Sequence, residues 1–88
     1  MVNPFSDQKK FMKACDQTAE NIMNAEQYDL YRKLIAEEVG ELEDAVKNND
    51  QVEQLDALID ILVVTIGAIH SMGADAEGAW NEVLQTNL

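Results

Sequence analysis

The chain has 88 residues, 47% of them hydrophobic, and a single proline. This size and composition predict one small domain over residues 1–88 and exclude a disordered tail. Six basic residues against seventeen acidic ones give a net charge of −11. That charge argues against non-specific binding to nucleic acid, which needs basic residues to release counterions. It fits a metal-dependent site, a basic protein partner or plain solubility.

Cysteine content and the lack of a spanning segment predict a cytoplasmic protein with no membrane partner. Cys15 is the only cysteine, so no internal disulfide can form and a reducing compartment is the simplest setting. The first residues lack the apolar stretch of a signal peptide. Residues 57–69 are very apolar but contain Asp60, and they fall short of the roughly 20 apolar residues that a spanning helix needs. They are expected to form a core helix.

The first helix is predicted to begin at Ser6, which can cap it. Residues 1–5 are expected to be extended, because Pro4 disfavours helical backbone for Asn3. The apolar residues of this helix recur at steps of three and four. They are Met12, Cys15, Ala19 and Ile22.

A long second helix is predicted to begin after Asn24 and to run to about Lys47. Asn24 followed by Gln27 resembles a capping box. Asn48 and Asn49 can take the left-handed conformation that ends a helix.

The third and fourth helices both follow aspartates. Asp50 with Glu53 is a second capping-box pattern, and it predicts a helix to about Met72 that Gly73 stops. Asp75 can cap a shorter fourth helix. Four helices with short connections predict an all-α, up-and-down bundle or a close variant of it.

Carboxylates occupy the core-facing side of the second helix. At about 100° per residue, Glu38 falls near the middle of the apolar arc, and Glu41 falls between Leu30 and Leu34. Glu37 lies at the edge of the arc. A carboxylate in such a position is costly unless it is paired, protonated or bound to a cation. Because Glu38 and Glu41 are also like charges three residues apart, a bound cation would relieve both problems.

The third helix carries a matching acidic stripe. Asp56 and Asp60 are four residues apart, and Glu53 completes the stripe on the same side. Gly67 continues the stripe towards the end of the helix, where a missing side chain lets a ligand or a helix come close. Antiparallel packing of the two long helices would bring four or five carboxylates together. Ligation by oxygen alone favours hard cations, with magnesium first, then manganese or calcium.

Two segments resemble a known family. Residues 31–42 read Tyr-Arg-Lys-Leu-Ile-Ala-Glu-Glu-Val-Gly-Glu-Leu, and residues 56–62 read Asp-Ala-Leu-Ile-Asp-Ile-Leu. They resemble the MazG-like all-α nucleoside triphosphate pyrophosphohydrolases, whose signature is Glu-Glu-x-x-Glu followed after a gap by Glu-x-x-Asp. Residues 80–87 are similar to the tail of the small bacterial and phage branch. The group is related to phosphoribosyl-ATP pyrophosphohydrolase.

The resemblance implies Mg²⁺-dependent cleavage between the α and β phosphates of a nucleoside triphosphate, with manganese as a possible substitute. It makes Glu38 and Glu41 magnesium ligands, and Glu37 a further ligand or the group that orients the attacking water. The second motif fits in two registers. In one register the motif aspartate is Asp60, and Ala57 stands at the glutamate position. In the other register Glu53 and Asp56 match the motif literally. Asp56 serves in both registers, so the implied metal ligands are Glu38, Glu41, Asp56 and Asp60, with Glu37 and Glu38 catalytic.

Two other functions remain open on the sequence. A phosphoribosyl-ATP pyrophosphohydrolase shares the fold and the metal chemistry, but it ranks lower because the tail resembles the phage-type branch. A non-enzymatic acidic helical module would bind a basic partner or assemble with itself. Long apolar helices in so short a chain also predict a homodimer or a homotetramer.

Overall fold

The structure, a computed structural model, describes residues 3–87. Within them the chain forms α1 Pro4–Ala14, α2 Ala25–Lys47, α3 Gln51–Ser71 and α4 Ala76–Asn87, with no strand. Helices α2 and α3 pack along their length as an antiparallel hairpin, joined by the short turn at residues 48–50. The predicted all-α fold with two long central helices is confirmed.

Helix α1 begins and ends earlier than predicted. Asn3 is its cap, with the side-chain Oδ1 accepting a hydrogen bond of 2.8 Å from the Ser6 N–H. Pro4 occupies the first turn, where its missing N–H leaves no hydrogen bond unmade. The expectation of an extended segment is therefore wrong for Pro4 and Phe5, and residues 1 and 2 lie outside the described part. The helix stops at Ala14 because Asp16 takes a left-handed backbone with φ 58°.

The caps predicted for the other helices are present. The side chains of Asn24, Asp50 and Asp75 each accept a hydrogen bond from the backbone N–H three residues later, at 3.0–3.1 Å. Gln27 does not complete the capping box, because its amide instead donates to the Thr18 carbonyl and to Ser71 Oγ. Of the two asparagines after α2, only Asn49 is left-handed, with φ 53°.

The buried core lies at the end of the hairpin that α1 covers. Met12 of α1, Ala19 of the connecting segment, Tyr31 of α2 and Ala68 of α3 form one cluster. Helix α4 bends away from α3 by 115°. It is held to the start of α1 by Phe5 and Trp80, whose ring centroids lie 6.0 Å apart.

Between residues 3 and 87, no single helix is long and apolar enough to cross a membrane. Only the bent pair of α3 and α4 meets the length and composition limits when the two are taken together.

Candidate metal centre

Three carboxylates from the two central helices meet at one point. Glu38 and Glu41 lie one turn apart on α2, and Asp60 faces them from α3. One carboxylate oxygen from each residue lies within 4.8 Å of the other two. We call Glu38, Glu41 and Asp60 the acidic triad. The predicted antiparallel packing of the long helices is what brings its members together.

Glu38 is the least solvated member of the acidic triad. Its side chain is half-buried, and its Oε2 is the one buried side-chain oxygen or nitrogen among residues 3–87 with no hydrogen-bond partner. The pKa of Glu38 is raised to about 7. The largest cause is the neighbouring Glu41 carboxylate, which can share a proton with Glu38, and burial and the charges of Glu41, Asp60 and Asp56 act in the same direction. Glu38 therefore needs either a proton or a cation.

The donor set fits a hard divalent cation. It consists of carboxylate oxygens alone, which Mg²⁺, Mn²⁺ and Ca²⁺ prefer over nitrogen or sulfur. A cation between the three carboxylates would give the unpartnered Oε2 of Glu38 a ligand and remove the like-charge repulsion. No basic side chain does so, because the two ion pairs within residues 3–87 are Lys13–Glu20 and Arg32–Asp29.

Asp56 lies beside the triad without joining it. It is exposed, one turn before Asp60 on α3, and close enough for its charge to contribute to the raised pKa of Glu38. The position three residues before Asp60 is Ala57, which is buried and has no ligand atom. The acidic triad thus contains Asp60, the aspartate of the first register, and not Asp56, the aspartate of the literal reading.

Glu37 lies next to the acidic triad in sequence and is not one of its members. Its side chain is exposed, and it is not among the carboxylates that converge. Its role as a further ligand or as the group that orients the attacking water stays a prediction.

An acidic cleft of about 330 Å³ opens from the triad towards the α2–α3 turn. Its charged lining consists of Glu41, Asp44, Asp50, Glu53 and Asp56. Asp44 lies one turn after Glu41 on α2, whereas Asp50 was expected only to cap α3. The turn at residues 48–50 brings Asp50 to the same cleft, and such proximity across a turn is not visible in the helical period of either helix. Arg32 and Lys33, two of the three basic residues of α2, line a separate groove with Asp29 and Ala36.

Comparison with protein families gave one match. The family described as "PRA-PH: Phosphoribosyl-ATP pyrophosphohydrolase" matches residues 6–87, a span that includes all the carboxylates discussed above. Neither the curated proteins nor the solved structures contain a significant match.

Proposed function

This chain belongs to the phosphoribosyl-ATP pyrophosphohydrolase family, and we propose that it is a Mg²⁺-dependent enzyme that converts a nucleoside triphosphate into a monophosphate and pyrophosphate. Membership in the family indicates a pyrophosphohydrolase, a hydrolase that acts on acid anhydrides. The family match confirms the relationship to the MazG-like pyrophosphohydrolases that the two motifs predicted. The nucleoside triphosphate substrate and the magnesium ion are our proposal.

The observation that carries the proposal is the unpartnered Oε2 of Glu38 inside the acidic triad. Glu38, Glu41 and Asp60 would hold the metal, and Asp56 would complete its ligands or bind a second ion from the cleft. A bound Mg²⁺ supplies charge neutralisation for the phosphates and lowers the pKa of a water molecule. Mn²⁺ would serve as a substitute because it accepts the same ligands.

Glu37 is proposed to orient the attacking water. Its exposed carboxylate adjoins Glu38 on α2 without joining the triad, so it is free to accept a hydrogen bond from a water molecule at the edge of the site. Glu38 would act in two ways. It holds the metal when ionised, and its raised pKa lets it take up a proton near neutral pH.

The charge of the site supports a strict need for a divalent cation. The chain carries −11, and the cleft beside the triad is lined by acidic and neutral residues. A triphosphate brought there alone would meet only like charge. We therefore expect no turnover with EDTA and turnover with Mg²⁺ or Mn²⁺.

Phosphoribosyl-ATP is a second candidate substrate, favoured by the family match over residues 6–87. It carries the same α–β anhydride, so the acidic triad would serve it without change. The alternative of a non-enzymatic acidic module predicts no pyrophosphate release from any substrate.

A substrate panel tests these possibilities. The purified chain is incubated with the common ribo- and deoxyribonucleoside triphosphates and with phosphoribosyl-ATP, in Mg²⁺ and in EDTA, and pyrophosphate is measured. Glu38→Gln should abolish release, while Glu43→Gln, which removes an exposed carboxylate from the same helix, should not. Absence of pyrophosphate from every substrate with both Mg²⁺ and Mn²⁺ would overturn the proposal.

A further inference from the structure

A cavity of about 530 Å³ opens between the start of α2 and the segment that precedes it. Its volume falls within the roughly 300–1,000 Å³ of small-molecule sites in proteins. Three amide side chains, two leucines and a tyrosine form most of its wall, and we call it the amide cavity: Gln17, Asn24, Gln27, Leu30, Tyr31 and Leu34. Among the residues that line it, Glu26 alone is charged. The amide cavity therefore suits a flat, uncharged group with polar edges.

The amide cavity lies on the same side of α2 as the acidic triad. At 100° per residue, its lining residues on α2 fill an arc of about 140°, and Glu38 and Glu41 fall inside that arc. Leu34, at the near end, lies one turn before Glu38, a rise of about 6 Å. The acidic cleft extends the other way, towards the α2–α3 turn. A nucleotide with its phosphates at the triad can therefore place its base in the amide cavity, away from the carboxylates of the cleft.

Two of the three amides in the cavity are bonded within the chain at both ends. Asn24 Oδ1 accepts from the Gln27 N–H, and Asn24 Nδ2 donates to Thr18 Oγ1. Gln27 Oε1 accepts from the Thr18 N–H, and Gln27 Nε2 donates to the Thr18 carbonyl and to Ser71 Oγ. These bonds make Asn24 and Gln27 part of a fixed wall.

Gln17 differs, because only one end of its amide is bonded. The hydroxyl of the buried Tyr31 donates to Gln17 Oε1, whereas no residue between 3 and 87 accepts a hydrogen bond from Gln17 Nε2. The hydroxyl has a single proton to donate, so this bond sets which way the amide points. The Gln17 backbone N–H is held as well, by the Met12 carbonyl at 2.8 Å. Gln17 therefore offers a hydrogen-bond donor to a ligand in the cavity.

We infer that the amide cavity holds the nucleobase of the substrate and that Gln17 selects bases that carry a carbonyl oxygen. This inference rests on the proposed function, because it takes the phosphates to lie at the acidic triad. Guanine, cytosine, uracil and thymine each have a carbonyl oxygen that can accept from Gln17 Nε2, and adenine has none. The two-point contact by which a glutamine recognises adenine uses its oxygen as well as its nitrogen, and the Tyr31 hydroxyl occupies that oxygen.

The same selection ranks the two candidate substrates. Phosphoribosyl-ATP contains an adenine ring, so the orientation of Gln17 disfavours it. A nucleoside triphosphate with a guanine, cytosine, uracil or thymine base is favoured instead.

Equilibrium binding of nucleoside monophosphates tests the inference without any need for turnover. Calorimetry with Mg²⁺ compares the monophosphates of adenosine, guanosine, cytidine and uridine, each in its ribose and deoxyribose form. The adenine nucleotides should bind the wild type about 10-fold more weakly than the tightest of the others, because the bond to Gln17 is lost. Gln17→Leu should abolish this preference. Gln54→Leu is the matched control, since Gln54 is also half-buried but lies outside the amide cavity, and it should keep the preference.

Tyr31→Phe tests whether the hydroxyl acts by orienting Gln17. The substitution keeps the ring and removes the O–H, so the Gln17 amide can turn and offer Oε1 to the amino group of adenine. The preference against adenine should then fall several-fold, while helical content by circular dichroism stays the same. Equal weakening of all four bases would show that the hydroxyl has only a structural role, and it would overturn the inference that Gln17 is held as a donor.

Failure of this inference can be told apart from failure of the proposed function. Adenine nucleotides that bind the wild type as tightly as any other would overturn the inference even if the chain releases pyrophosphate, and this comparison needs no variant. An unchanged preference in Gln17→Leu, or no binding of any monophosphate at millimolar concentration, would also overturn it. The expected order of binding in a chain that releases no pyrophosphate would support the amide cavity and overturn the enzymatic proposal.

Discussion

The ring of Tyr31 on α2 lies directly against the backbone of Gly67 on α3. A Cβ built on Gly67 would fall 2.6 Å from Tyr31 Cζ, far inside van der Waals contact. Tyr31 is 6% exposed, its hydroxyl donates to Gln17 Oε1, and burial raises the pKa of that hydroxyl. The missing side chain at Gly67 thus lets the two central helices pack closely. The sequence analysis allowed either a ligand or a helix to come close to Gly67. In the structure it is helix α2, through the Tyr31 ring, that occupies this space.

Gly67→Ala should destabilise the chain by about 1–3 kcal/mol, because the Tyr31 ring or α3 must move to admit a methyl group. Gly40→Ala is the control, since a Cβ there meets nothing within 4 Å. It should stabilise the chain by up to about 1 kcal/mol through the better helix propensity of alanine. Urea unfolding at one protein concentration measures both. A Gly67→Ala chain as stable as the wild type would show that the contact imposes no constraint.

The stability of the metal-free chain should fall as pH rises from about 4.5 towards 7. The pKa of Glu38 is raised from 4.5 to about 7 in the folded state, so between these values the folded chain holds a proton that the unfolded chain has released. By linkage, each increment of pH in this window favours unfolding, and the loss levels off above pH 7. Thermal unfolding in EDTA from pH 4.5 to 8 measures the effect.

Glu38→Gln provides the comparison for that pH series, because it keeps the shape of the side chain and removes its titration. Its stability should change less over the same window. Mg²⁺ competes with the proton on Glu38, so magnesium should restore wild-type stability mainly at and above pH 7. Parallel pH curves for the wild type and Glu38→Gln in EDTA would contradict the assignment of the titration to Glu38.

Substitution of the two aspartates separates the two registers of the second motif. Asp60→Asn should weaken Mg²⁺ binding by at least about 10-fold, since it alters a member of the acidic triad. Asp56→Asn should have a smaller effect, because Asp56 is exposed and outside the triad. Magnesium titration followed by thermal shift measures both. A larger loss for Asp56→Asn would favour the literal reading of residues 53–56.

Gln27→Ala should loosen the junction between α2, α3 and the segment before α2. The Gln27 side chain accepts from the Thr18 N–H at 2.9 Å, and it donates at 2.8 Å to the Thr18 carbonyl and to Ser71 Oγ. Loss of these bonds at part-buried groups should lower the free energy of unfolding by about 1–3 kcal/mol. Gln51→Ala, at an exposed position in the first turn of α3, should change it by less than about 0.5 kcal/mol. Equal effects of the two substitutions would show that the Gln27 bonds contribute little.

Local sequence patterns were sufficient to predict the helices and most of their ends. Asn24, Asp50 and Asp75 act as caps where they were expected, because capping depends on a side chain and a backbone N–H three residues apart. The helical period alone predicted Glu38 and Glu41 on the core-facing side of α2; Glu38 is half-buried there, whereas Glu41 meets Asp60 but stays exposed. The resemblance to the MazG-like pyrophosphohydrolases, drawn from the two motifs, agrees with the match to the phosphoribosyl-ATP pyrophosphohydrolase family. Helix α1 was less predictable, since its cap at Asn3 and its end at Asp16 depend on backbone conformations that no periodic pattern records.

Only the tertiary structure decided which residues of different helices meet. The register of α2 against α3 brings Asp60, and not Asp56, within 4.8 Å of Glu38 and Glu41, and a shift of one turn would have exchanged the two aspartates. The same packing sets Tyr31 against Gly67 and leaves aliphatic side chains of α3 such as Leu55 and Leu58 exposed. The physical reason is that a sequence pattern specifies which side of a helix is buried, whereas the partner on that side is chosen by side-chain packing between helices.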